Sequence, residues 1–162
     1  MLSPEAYRAI DREIAKYPPG HKQSAVIAAL AIAQGELGWV SKEAIEEVAA
    51  YLEMPPIAVY EVATFYNMFD TQPVGRFKLV ICTNLPCALA GANRAAAHLK
   101  ARLGIDFGET TPDSCFTLKE GECMGACADA PVLLVNNTRM ESFMSEERLD
   151  ALLAELKAKA QT

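Results

Sequence analysis

The chain has 162 residues, 51% of them hydrophobic and 22% charged, with a formal net charge of −6. That composition belongs to a globular chain and excludes a disordered one. An acidic balance with no cluster of Lys and Arg also argues against nucleic acid as a partner.

The N-terminal stretch lacks an apolar core and a small-residue cleavage site, so it does not read as a secretory signal. Glu5, Asp11 and Glu13 make it too acidic for an organellar transit peptide. The first helix is expected to start at Ser3, an N-cap followed by the first-turn Pro4, with Ala6, Ile10, Ile14 and Tyr17 on one stripe. Pro18-Pro19-Gly20 should end it. Residues 22–37 (Val26, Ile27, Leu30, Ile32) are apolar nearly all round, as the central helix of a small bundle would be. Their longest apolar run, 25–33, is far shorter than the roughly 20 residues a membrane-spanning helix needs. The expectation is therefore a soluble intracellular protein with no direct membrane insertion. Gly38 closes that helix, and Ser41 caps a third with Ala44, Ile45, Val48 and Leu52 inward. Pro55-Pro56 opens a fourth, from 57 to about 68, whose Phe65, Tyr66 and Phe69 are expected in the core, with a docking surface as the alternative.

Past a seam around 71–75 the period changes. Residues 76–83 (RFKLVICT) read as a β-strand and 88–103 as a helix closed by Gly104. Short strands are expected at 115–119, 132–135 and 138–143. Ser145 then caps a last helix carrying Leu149, Leu152, Leu153 and Leu156 at i, i+3, i+4 and i+7. Its first turn holds Glu146 and Glu147 and its last turn Lys157 and Lys159, which suits the helix dipole. The organisation is an N-terminal four-helix bundle, residues 1–72, followed by an α/β (or α+β) domain with a small mixed sheet, residues 73–162.

Five cysteines in a reducing compartment point to metal binding or catalysis rather than to disulfides. Four form local pairs, Cys82-x4-Cys87 and Cys123-x3-Cys127, with 35 residues between them. Each pair lies in a loop rich in turn residues, and the first loop joins a strand end to a helix start. The spacing leaves several readings open. A structural zinc site also takes four cysteines but usually spaces them C-x2-C. A thioredoxin-like redox thiol needs C-x-x-C, which is absent. The plant-type C-x4-C-x2-C pattern fails at its third cysteine, and the two histidines a Rieske centre needs are not in these loops. Structural cysteines without metal are the blandest account. A [2Fe–2S] cluster on Cys82, Cys87, Cys123 and Cys127 is the preferred one.

Four thiolates with two ferric ions and two sulfides carry a net negative charge that reduction increases. No Lys or Arg lies between Lys78 and Arg94 or within the second loop. Stabilisation must come from backbone amides, and Gly125 is expected to let the backbone approach closely. Cys115 fits neither pair and reads as a small core residue. His98 is expected at the surface, and His21 follows a turn. Neither has a partner for acid–base work, and no phosphate-cradling loop or nucleophile motif is present.

Three segments carry a family resemblance: Cys82-Thr-Asn-Leu-Pro-Cys87, Glu122-Cys-Met-Gly-Ala-Cys127, and Glu61-Val-Ala-Thr-Phe-Tyr-Asn-Met-Phe69. Together with the order of elements they resemble the E subunit (24-kDa type) of NADH–quinone oxidoreductase, respiratory complex I. The resemblance implies a thioredoxin-like C-terminal domain holding one [2Fe–2S] cluster on Cys82, Cys87, Cys123 and Cys127. Each local pair is expected to hold one iron. It further implies an electron-transfer role next to a flavoprotein subunit that binds FMN and NADH, among other peripheral-arm subunits. The cytoplasmic face of the inner membrane is the implied location, reached through those partners. No NADH oxidation is expected from this chain alone. The same module occurs in NAD-linked hydrogenases and formate dehydrogenases, and a zinc-stabilised interaction module is the reading of another class. One departure is Ser114-Cys115, where a glycine is frequent in the family; it concerns a turn.

Overall fold

The computed structural model describes residues 1–160, which form two compact units, Met1–Pro73 and Val74 onward. The first is helical: α1 (Pro4–Ile14), a 3-10 turn (Lys22–Ala25), α2 (Val26–Leu37), α3 (Lys42–Leu52) and α4 (Pro56–Phe65). Ser3 and Ser41 cap α1 and α3 through their side chains, accepting from the Ala6 and Ala44 amides. Ile10, Leu30, Val40, Val48, Leu52 and Val59 have almost no exposure and share one core. α2 contacts α1, α3 and α4, as an element apolar nearly all round should.

Three details differ from the sequence reading. α1 stops at Ile14, so Tyr17 lies outside it and is exposed. The stretch 22–37 begins as a 3-10 turn rather than as α-helix. Phe69 is buried, but Phe65 is 80% exposed and Tyr66 is exposed too. α4 ends at Phe65, so Tyr66 and Phe69 lie beyond the helix and helical spacing does not place them.

The second unit comprises β1 (Phe77–Cys82), α5 (Leu85–Leu89), α6 (Ala92–Leu103), β2 (Phe116–Gly121), a 3-10 turn (Cys127–Asp129), β3 (Leu133–Val135), β4 (Arg139–Glu141) and α7 (Glu146–Ala160). The mixed sheet runs β2-β1-β3-β4: β1 is parallel to β2 and antiparallel to β3, and β3 is antiparallel to β4. β1, the apolar FKLVIC run, is an interior strand, and its Leu79 and Ile81 are fully buried. α6 packs on β1 and β2 and against α7. Leu79, Leu99, Leu118, Leu133 and Leu149 close a core that also takes in Leu152 and Leu156, with Leu153 packed at its edge.

The helix expected over 88–103 is in fact two, broken at Ala90-Gly91, where Gly91 has φ +101°. The break frees the short helix that carries Cys87 from the axis of α6. Among the described residues no helix is long and apolar enough to cross a membrane.

Candidate metal centre

The register of the parallel pair brings the two cysteine loops together. Cys82 is the last residue of β1 and is paired with Gly121, the last residue of β2. Parallel strands end at the same edge of a sheet, so both cysteine loops leave that edge side by side. Cys123 follows two residues beyond the register partner of Cys82. Hydrogen bonds extend the pairing: the Thr83 amide donates to the Gly121 carbonyl (3.2 Å) and the Cys82 amide to the Val132 carbonyl (3.1 Å).

The first pair is sealed in: Cys82 is 2% and Cys87 1% exposed, packed with Ala92 and Val132. Met124, Ala126 and Ala130 cover this group from the second loop and the turn after it. Asn84 caps α5, its Oδ1 accepting from the Leu85 amide at 2.9 Å, and so sets the helical turn that presents Cys87. The second pair, Cys123 and Cys127, is exposed, and no cysteine is in a disulfide. Here the Gly125 amide donates to Cys123 Sγ at 3.4 Å.

Gly125 is needed for a reason other than close approach. A Cβ there would meet nothing within 4 Å, but its φ of +74° is one that other residues adopt at a cost. The close approach falls instead at Gly121, where a Cβ would sit 2.7 Å from Val80 Cγ1 and 2.8 Å from Met124 Cε.

Electrostatics link all four thiols. Burial pushes the Cys87 thiol up, and its hydrogen bond with Cys82 and the charges of Cys82 and Cys127 add to this. A backbone hydrogen bond at Val132 opposes the shift. The Cys127 thiol is also raised, first by its hydrogen bond with Cys123, then by the charges of Cys123 and, more weakly, Cys82. Each local pair is therefore in hydrogen-bond contact, and the two pairs sense each other at longer range.

Zinc and a [2Fe–2S] cluster both take four thiolates, but in different arrangements. Among the described residues no group of three or more His, Cys, Asp or Glu is disposed to hold one ion. A structural zinc needs four donors around one point, whereas a [2Fe–2S] cluster takes two thiolates at each of two irons. Two local pairs, one in an apolar group and one exposed with the Gly125 amide donating to Cys123 Sγ, fit the second demand.

Residues 10–157 match the family model of the thioredoxin-like [2Fe-2S] ferredoxins. The chain belongs to that family. Named relatives match over most of its length. It is 45% identical over 149 residues to an E subunit (the second form) of the NADH-quinone oxidoreductase of Rhizobium meliloti, covering 92% of this chain and 87% of that one. It is 40% identical over 144 residues to the mitochondrial NADH dehydrogenase [ubiquinone] flavoprotein 2 of Dictyostelium discoideum, covering 88% of this chain and 58% of that one. Among solved structures it resembles the NAD+-reducing [NiFe]-hydrogenase in its air-oxidised state, with a TM-score of 0.72 and 27% identity. That match covers 83% of this chain and 23% of the much longer hydrogenase chain.

The remaining residues singled out from sequence fall outside the site. Cys115 is 7% exposed within the second unit's main core, as a small core residue should be. Ser114 before it has φ +55°, a conformation glycine adopts without strain. His98 is not a surface residue. It is mostly buried between α6 and α7, with Nε2 2.9 Å from Asp150 Oδ1. His21 is exposed. Four polar residues at the cysteine loops carry contacts that the sequence reading missed: Thr83, Asn84, Glu120 and Glu122. Their only signal in the sequence is position, directly after Cys82 and directly before Cys123.

Proposed function

We propose that Cys82, Cys87, Cys123 and Cys127 hold one [2Fe–2S] cluster and that the chain is the electron-transfer subunit of an NADH–quinone oxidoreductase, docked on a flavoprotein subunit. When bound, such a cluster supplies one-electron chemistry. The observation that carries the reading is the Cys82–Gly121 register, which brings both cysteine pairs to one sheet edge. Family membership supports the cluster, and the high coverage of the bacterial quinone-reductase relative supports the complex.

The chain's own residues do three things. Cys82 and Cys87, with Val132 and Ala92, exclude water from one side of the centre. The Gly125 amide donates to sulfur and offsets negative charge, one of the levers that set a cluster's potential. The exposed loop with Cys123 and Cys127 leaves the other side open for exchange with a partner. Leu85 (68% exposed) and Leu89 (81%) lie on α5, the helix that carries Cys87, and suit a protein surface. The helical unit is read as a four-helix bundle, the two units as separate domains, and the location as peripheral to the membrane through partner subunits.

A second reading keeps the centre and changes the complex: the equivalent subunit of an NAD-linked hydrogenase, favoured by the structural likeness. Purification of the native assembly from its source decides between them. Subunits of a quinone reductase recovered with this chain, and reduction by NADH only in the presence of the FMN-binding partner, are the expected result. Recovery with a nickel–iron subunit would move the chain to the hydrogenase class.

A further inference from the structure

The two cysteine loops are tied by side chains as well as by backbone. Thr83 Oγ1 donates to Glu120 Oε1 at 2.7 Å, and Asn84 Nδ2 donates to Glu122 Oε2 at 3.0 Å. We propose that these two bonds form a clasp that fixes the spacing between the cysteine pairs, making Thr83, Asn84, Glu120 and Glu122 positioning residues for the centre. The inference rests on the four cysteines being the cluster ligands.

Three features separate the clasp from chance surface polarity. Both bonds join the same two segments across 37 and 38 residues of chain, with the donors in the first loop and the carboxylate acceptors at the end of β2 and the start of the second loop. Their residues directly follow Cys82 and lead up to Cys123. Asn84 also serves twice: Oδ1 caps the helix carrying Cys87 while Nδ2 reaches the residue before Cys123. One amide thus couples the two pairs, and the cap fixes which way it faces.

The far end of the second loop is tied at Asp129, whose carbonyl accepts from the Phe143 amide at 2.8 Å, but the stretch from Glu122 to Cys127 has few buried contacts. Glu122, Cys123, Gly125 and Cys127 are exposed, and only Met124 and Ala126 reach the apolar group around Cys82 and Cys87. A loop with so few buried contacts opens readily unless polar bonds restrain it. Hydrogen bonds to carboxylates are the stronger kind, and two acting together with the Thr83–Gly121 backbone bond restrain the root of the second loop, directly before Cys123.

The test measures cluster loss from the full chain in excess iron chelator, followed by its visible absorbance, alongside the electron paramagnetic resonance spectrum of the reduced protein. Asn84→Asp keeps the helix cap but sets a carboxylate against Glu122. Cluster loss should accelerate about five- to tenfold, the scale of one hydrogen bond. Combining Asn84→Asp with Glu122→Gln restores the bond with donor and acceptor exchanged and leaves the net charge at its original value. That double variant should return to within about twofold of the wild-type rate and recover the wild-type spectrum, on the same scale. Thr83→Val, where no cap is at stake, should also speed the loss. The clasp is overturned if Asn84→Asp and Thr83→Val both lose the cluster at the wild-type rate, or if the exchanged pair stays as fast as Asn84→Asp alone. Failure of the ligand reading looks different: the wild-type chain would then carry no iron and sulfide to lose.

Discussion

The two cysteine pairs hang from the ends of neighbouring parallel strands, yet their surroundings are opposite. Cys82 and Cys87 are part of a small apolar core, so the fold holds them whether or not anything is bound. Cys123 and Cys127 are exposed on a loop shaped by Gly125 and by polar ties to the first loop. One half of the centre is built by packing and the other by backbone conformation and hydrogen bonding. The rigid half fixes position, and the open half gives access.

Serine substitution at the cysteines probes this contrast most strongly. At any of the four the cluster signal should be lost or grossly altered, but the cluster-free chains should differ. Cys82→Ser and Cys87→Ser place a hydroxyl in an apolar group and should lower the unfolding free energy by about 1–3 kcal/mol. Cys123→Ser and Cys127→Ser should leave it nearly unchanged. Cys115→Ser is the control, destabilised by a similar amount, about 1–3 kcal/mol, with its cluster intact. Loss of the signal on Cys115→Ser with a retained signal on Cys127→Ser would refute the ligand assignment.

Next in size is Leu30→Ala in the helical unit, expected to cost roughly 3 kcal/mol by opening a cavity. Leu30 shares no core with the cysteines, so iron and sulfide content should hold while the thermal midpoint falls. Gly125→Ala follows, at roughly 1–2 kcal/mol for a left-handed conformation. Unlike Leu30→Ala, it should weaken cluster retention more than global stability.

The smallest effect lies far from both pairs. Hydrogen bonds from Arg139 and Lys159 hold the Glu155 carboxylate down at about 2, against its ordinary 4.5. A depressed carboxylate stabilises the fold fully above the unfolded value and loses that contribution as pH falls from about 4.5 towards 2. Glu155 is solvent-exposed and the gain is screened, so Glu155→Gln should only flatten the thermal midpoint's decline across that acid window.

Much of the fold was legible because its signals are local. Ser3 and Ser41 announce their helices, and the change of period marks the passage from helices to sheet. The four cysteines stood out by pairing within turn-rich loops. What escaped depends on contacts that spacing does not encode. The run from Ala88 to Leu103 is uniformly helix-forming, and only Gly91 signalled its break. Phe65 and Tyr66 were preferred as core because aromatics usually are, but both lie exposed where α4 ends. His98 gave no hint of Asp150, which lies 52 residues away. The Thr83–Glu120 and Asn84–Glu122 bonds were likewise invisible until the β1–β2 register placed those segments side by side.

The most direct test of the centre is its composition. Full-length protein purified without oxygen should contain two irons and two acid-labile sulfides per chain. Reduction should give an axial electron paramagnetic resonance signal. A colourless protein with one zinc and no labile sulfide would contradict the account and leave the chain a zinc-stabilised interaction module.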